Sequence, residues 1–134
     1  MLISEVAEKT GLSSKSIRLY EQKKIISAPL RNDAGYRIYQ HKHLEQLQLI
    51  ANAKKMGFGL EQCKQLITLA ENPDRASREV KQHAIDKLNQ IRAQIEQWQS
   101  MADTLSSWVE QCPGDDQSQC PIIERMASAP VDKT

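Results

Sequence analysis

Between Ala84 and Val109 the apolar residues fall at Ala84, Leu88, Ile91, Ile95, Trp98, Ala102, Leu105 and Val109, in steps that alternate four and three. That alternation is the a/d seam of a coiled coil, kept up for more than three heptads. Neither Pro nor Gly interrupts the chain from Ser77, a plausible cap after the Asn72-Pro73-Asp74 break, until Pro113. The spacing therefore predicts one helix of thirty-odd residues, roughly 50 Å long. A helix of that length outruns what the short N-terminal part can cover, so the seam predicts pairing with a second copy.

The N-terminal part has a different rhythm. Ser4 is placed to cap a short helix through Glu5-Val6-Ala7-Glu8-Lys9, which Gly11 stops. Ser13 or Ser14 caps a second helix running to Lys23, with Ile17 and Tyr20 facing inward and Lys15, Arg18, Ser14 and Ser16 outward. Two short helices joined by a tight turn predict a helix-turn-helix. After Pro29, a turn at Gly35 leads into Tyr36-Arg37-Ile38-Tyr39, whose alternation predicts a short strand and hence a wing. Arg31, Arg37 and Tyr39 are expected on its outer side, where donors at fixed spacing suit phosphates. Leu44, Leu47, Ile50 and Ala51 predict a further helix ending near Gly57-Phe58-Gly59. Leu60, Cys63, Leu66, Ile67 and Ala70 predict another, with Cys63 on its apolar face as a small buried hydrophobe.

Composition adds little to this mainly α picture until the charge is divided. Residues 1–75 hold twelve Lys/Arg against eight Asp/Glu, and residues 76–134 hold six against nine. The basic part is the nucleic-acid candidate. No stretch approaches the roughly 18 apolar residues of a membrane span, and the start lacks a signal-peptide pattern. A cytoplasmic protein that does not engage membranes is expected.

In the cytoplasm thiols stay reduced, so a cysteine pair there points to metal or redox chemistry before a structural staple. Cys112 and Cys120 flank Pro113-Gly114-Asp115-Asp116, directly after the long helix. Zinc normally takes four ligands, and His41, His43 and His83 lie far away in sequence. Two thiolates alone suit a soft monovalent ion such as Cu(I). A reversible disulfide and mere coincidence remain open on spacing alone. Asp115 and Asp116 would raise the thiol pKa values if they pointed inward, so they are expected to face solvent. No Gly-rich phosphate loop and no histidine placed to activate a cysteine suggest an enzyme.

Ile3-Ser4-Glu5-Val6-Ala7, Ser14-Lys15-Ser16-Ile17-Arg18-Leu19-Tyr20-Glu21, Gly35-Tyr36-Arg37-Ile38-Tyr39 and Cys112-Pro113-Gly114-Asp115-Asp116 with Cys120-Pro121-Ile122-Ile123 together resemble the MerR family of transcription regulators, in its copper-responsive branch. The resemblance runs from Met1 to about Ile123. It implies a winged helix-turn-helix DNA-binding domain over 1–70, a hinge and dimerisation helix over 71–111 forming an antiparallel coiled coil, a metal-binding loop over 112–123 and a tail over 124–134. It further implies a homodimer on double-stranded promoter DNA, contacted by Lys15 and Arg18 with Ser14, and on the backbone by Arg31, Tyr36, Arg37, Tyr39 and Lys54.

Cu(I), with Ag(I) or Au(I) as mimics, would be held linearly by Cys112 and Cys120. The partner subunit's Ser77 would stand where divalent-metal relatives carry a cysteine, and Lys81 of the partner subunit would offset the negative site. RNA polymerase would be served by metal-triggered distortion of an overlong promoter spacer. Two departures stand out: position 24 is Lys where such proteins usually have Gly, and the tail from Met126 carries no Cys/His cluster.

Overall fold

The computed structural model describes residues 1–116, 118 and 120–128. Its elements are α1 (Ile3–Thr10), α2 (Ser14–Gln22), β1 (Leu30–Arg31), β2 (Arg37–Ile38), α3 (His41–Lys55), α4 (Leu60–Glu71), α5 (Ser77–Gln111) and α6 (Pro121–Ala127). Two compact units share the chain, Met1–Lys87 and Leu88–Thr134, with the boundary inside α5. The tail expectation beyond Ser128 lies outside the described residues.

In the first unit the two-helix pattern folds as its punctuation dictates. Gly11, at φ 75°, takes the left-handed position that ends α1, its N–H donating to the Ala7 carbonyl. Ser13 precedes α2 and its side chain accepts from the Ser16 N–H at 3.0 Å, so of the two serines Ser13 is the cap. Ser4 does not cap α1. The helix already begins at Ile3, because the Leu2 carbonyl accepts from both Glu5 and Val6 N–H. Residue 1 is itself fixed: the Met1 amino group donates to the Tyr39 carbonyl at 2.9 Å and the Tyr39 N–H donates to the Met1 carbonyl at 2.7 Å. With the chain start pinned there, the backbone enters the helix without needing a side-chain cap.

β1 and β2 pair antiparallel, Leu30 opposite Ile38 and Arg31 opposite Arg37. The connecting turn is closed by Asn32, whose side-chain oxygen accepts from the Ala34 and Tyr36 N–H groups. Val6, Ile17, Leu47, Ile50 and Cys63 are fully buried, with Tyr20, Ile26, Tyr39 and Ile67 packed among them. The core thus draws on four helices, the segment that follows α2 and the residue after the wing. Gln46, buried among these apolar groups, is satisfied by accepting from the Ser27 N–H at 3.3 Å and donating to Glu71.

Lys24 is the one non-glycine residue at positive φ among the described residues, at 58°. It follows α2 in the seat that favours glycine, while the Ile25 N–H donates back to the Tyr20 carbonyl at 2.9 Å. A residue with a Cβ is strained in that left-handed conformation.

In the second unit α5 continues unbroken to Gln111, and no residue anywhere in α5 is buried within one chain. Ile95 and Trp98 are 60% and 66% exposed. α6 was not foreseen, and it crosses the expected border between loop and tail. Its start is nonetheless written in the sequence, since Pro121 occupies the first helical position, where a missing N–H costs nothing.

Candidate metal loop and nucleic-acid face

The loop between α5 and α6 brings the two cysteines together. Cys112 lies one residue beyond α5 and Cys120 immediately before α6, with their sulfurs 3.9 Å apart. Gly114 turns the chain at φ 65°. Both cysteines are partly exposed, and Asp115 and Asp116 are exposed as expected. The sulfurs are well beyond the roughly 2.05 Å of a disulfide, and both cysteines are free.

The two kinds of cysteine differ electrically. The amide N–H of Ile123, then that of Ile122 and the Cys112 thiol, hold the Cys120 pKa below the ordinary thiol value, against partial desolvation and the Glu124 charge. The side chain does this without completing an N-cap hydrogen bond of ordinary geometry. Burial pushes the Cys63 thiol the other way, with Lys54 only partly offsetting it. A lowered pKa favours the thiolate, the form that binds metals. Among the described residues no group of three or more His, Cys, Asp or Glu side chains gathers as a metal cluster. Among the described residues the loop brings together two sulfurs, a donor pair whose softness suits soft ions.

On the basic unit, Lys15 and Arg18 are exposed along α2 and Ser14 is half-exposed at its first turn. Arg31, Tyr36 and Lys54 are exposed as well. Arg31 also braces the wing, donating from Nη1 to the Gly35 carbonyl at 2.8 Å. Arg37 is only half-exposed, and its Nε donates to Glu21 Oε1 at 2.7 Å.

Tyr39 overturns the expectation of an outward side chain, being 1% exposed. The strand alternation fails because β2 ends at Ile38, and the Tyr39 ring packs edge-on against His43, centroids 5.7 Å apart. Its hydroxyl is buried without a hydrogen-bond partner. Burial raises the Tyr39 pKa first and the Glu21 charge second, while Arg37, Arg18 and Arg31 oppose them, so these three arginines share its surroundings. Glu21 is the residue missed in the sequence: its place beside Arg37 depends on the α2–wing contact, which local spacing does not encode. Ser77 opens α5 as its first helical residue and Lys81 lies one turn on, both exposed.

Comparison with known proteins reaches into both units. Residues 1–69 match the family model described as MerR HTH family regulatory protein, and residues 44–108 match the one described as MerR, DNA binding. The HTH-type transcriptional regulator CueR of Salmonella typhi is 46% identical over 127 residues, covering 95% of this chain and 92% of its own. Among solved structures, the regulator PbrR691 from Ralstonia metallidurans in complex with lead(II) superposes with a TM-score of 0.80 at 23% identity, covering 95% of this chain and 99% of that one. MerR from Bacillus megaterium in complex with mercury(II) gives 0.72 at 27% identity, covering 91% and 95%.

Proposed function

The chain belongs to the MerR family of transcription regulators, and from that premise we propose that it is a Cu(I)-responsive activator of copper-detoxification genes, working as a homodimer in the cytoplasm. It is a regulator and not an enzyme. One observation carries the metal reading: Cys112 and Cys120 meet with sulfurs 3.9 Å apart, with no third donor gathered among the described residues. Such a pair selects soft monovalent ions, Cu(I) first and Ag(I) or Au(I) as mimics. The reading gives the partner subunit's Ser77 a place beside the loop as a hydroxyl where a third thiolate would invite divalent metals. The partner subunit's Lys81 supplies an ammonium that offsets the negative site.

The rest of the chain turns occupancy into transcription. The exposed seam of α5 joins two copies, and the two basic units then read a palindromic promoter. Ser14, Lys15 and Arg18 face the groove, while Arg31, Tyr36, Arg37 and Lys54 take the phosphates. Tyr39, being buried, is assigned to packing. Ordering of the Cys112–Cys120 loop biases the dimer toward a form that bends and untwists an overlong spacer, so that RNA polymerase engages both promoter elements.

Competition titration under reducing conditions with Cu(I), Ag(I) and Zn(II) tests the reading. Tight binding of one monovalent ion per loop, lost in Cys112→Ser, is the expected result. One-to-one Zn(II) binding that survives that substitution would sink it. The same 3.9 Å separation favours one rival, reversible oxidation of the pair. Full activation by oxidant without metal, in a purified transcription assay, would favour the rival.

A further inference from the structure

Glu21 is an acidic residue in direct contact with Arg37, and its charge reaches the Tyr39 hydroxyl together with those of Arg37, Arg18 and Arg31. A carboxylate there repels DNA phosphates, so on charge alone it should weaken binding. Its geometry argues the opposite. Glu21 Oε1 holds Arg37 by Nε at 2.7 Å, and the two side chains are only 20% and 27% exposed. A guanidinium has five N–H donors in a rigid plane, and this contact occupies the one on Nε. Among the described residues Arg37 has no other hydrogen bond or ion pair, so its terminal nitrogens remain available in a fixed plane.

The pair also spans two elements. Glu21 is in the last turn of α2, the helix carrying Lys15 and Arg18, and Arg37 is in β2, opposite Arg31. Two other close side-chain contacts in this unit, Lys9–Glu5 and His41–Glu45, each lie one turn apart on an exposed helix face.

We propose that Glu21 is a positioning residue for DNA recognition: by fixing Arg37 through Nε it presents the two terminal nitrogens as a bidentate phosphate donor and locks the wing to the recognition helix. This rests on the DNA-binding reading of the basic unit and adds a residue of the wrong sign for contacting DNA itself. The net result is that one carboxylate strengthens binding to a polyanion. An unfixed arginine would lose rotamer freedom on binding, and the ion pair removes that cost beforehand.

The test is promoter-DNA affinity of the full-length protein as a function of salt, for the wild type, Glu21→Ala, Glu21→Gln, Arg37→Ala and the double variant Glu21→Ala with Arg37→Ala. Glu21→Ala is expected to weaken binding about tenfold, in keeping with loss of a charge-assisted contact, and to flatten the log–log salt slope by about 0.9, one phosphate contact. Glu21→Gln keeps an acceptor for Nε and should restore most of the affinity. The double variant should bind no worse than Arg37→Ala alone. If both Glu21 variants bind more tightly than wild type, Glu21 is only a repelling charge and the proposal is overturned; losses that add to those of Arg37→Ala overturn it equally.

Should Glu21→Ala fail to fold, as thermal unfolding would reveal, Glu21→Gln decides alone. Affinity within about threefold of wild type supports positioning, and a clear rise refutes it. A wild-type protein that ignores its promoter would overturn the DNA reading instead, which keeps the two failures apart.

Discussion

In the first unit Val6, Ile17, Leu47, Ile50 and Cys63 are wholly buried by their own chain, whereas in the second Ile95, Trp98, Leu105 and Val109 stand open. The sequences of the two units are not very different in apolar content. What differs is the period and the return path. Four helices of 8 to 15 residues turn back on one another and close a core, while α5 runs 35 residues without a turn and buries none of its seam. The cysteines follow the same division, with Cys63 sealed in a core and Cys112 and Cys120 left in reach of solvent. A unit that completes itself can serve as a rigid reader, and one that on the proposed reading takes a second copy and an ion can serve as the variable part.

The largest effect should come from closing off that requirement. Ile95→Lys puts a charge in the seam of each copy, and truncating or polarising a core aliphatic costs about 3 kcal/mol. Because the substitution occurs in both copies of a pair, the dimer dissociation constant should rise by more than about a hundredfold. Sedimentation should then show monomers whose first unit keeps its thermal transition. A dimer that persists would show that the seam is not the interface, and the contrast between the units would lose its main support.

Cys63→Ser probes the opposite side. A hydroxyl in that fully buried site is stripped of water and fills less space than the sulfur it replaces, so unfolding should be easier by about 2 kcal/mol. The equivalent change at partly exposed Cys112 should leave stability nearly unchanged while abolishing Cu(I) binding. Alkylation offers an independent check. In the native protein iodoacetamide should modify Cys120 and Cys112 and spare Cys63, whose thiol burial has pushed up, until denaturant opens the core. Equal labelling of all three would erase the distinction.

These differences mark how far the residues could be interpreted before folding. The long helix and its seam were legible because seven apolar steps agree with one period, and the helix-turn-helix because Gly11 and Ser13 act locally. Tyr39 was misplaced because a strand of two residues is too short for alternation to govern its neighbour; its place is set by Met1, distant in sequence, and by His43 one helical turn into α3. Ser4 failed for a related reason, since the pinning of Met1 by Tyr39 made a side-chain cap unnecessary. In the loop, spacing alone allowed copper, oxidation or chance. The 3.9 Å approach of the sulfurs weakens chance, and it depends on α6, whose period is too brief to register in the pattern.

A smaller effect tests the reader through pH. His43 is buried, its Nδ1 accepts from the Gln40 N–H at 3.0 Å, and burial, then Lys42, lower its pKa below the usual value. The unfolded chain therefore takes up a proton near pH 6.5 that the folded chain refuses. Stability should be fully present above that pH and decline as pH falls toward the lowered folded value. The first unit alone should show this. Chemical unfolding at pH 7.5 and 5.5 should reveal the loss, and His43→Gln should flatten the dependence; an equal slope in that variant would mean that other groups carry it.

The smallest expected change concerns Lys24, the point at which the self-completing unit carries strain. At φ 58° a residue with a Cβ meets its own backbone, a cost of about 1–2 kcal/mol that glycine escapes. Glycine also gains freedom in the unfolded chain, which returns up to about 1 kcal/mol of that advantage. Lys24→Gly should therefore stabilise the protein by about 0.5–1 kcal/mol, read as a shift of the unfolding midpoint to higher denaturant at constant slope. Because Lys24 is exposed just beyond α2, the same variant also removes a cation next to the helix proposed to meet DNA. If stability rises while promoter affinity falls, Lys24 holds its strained seat for the sake of charge; if both rise, the strain serves nothing in recognition, and the reader tolerates it only because its core is otherwise complete.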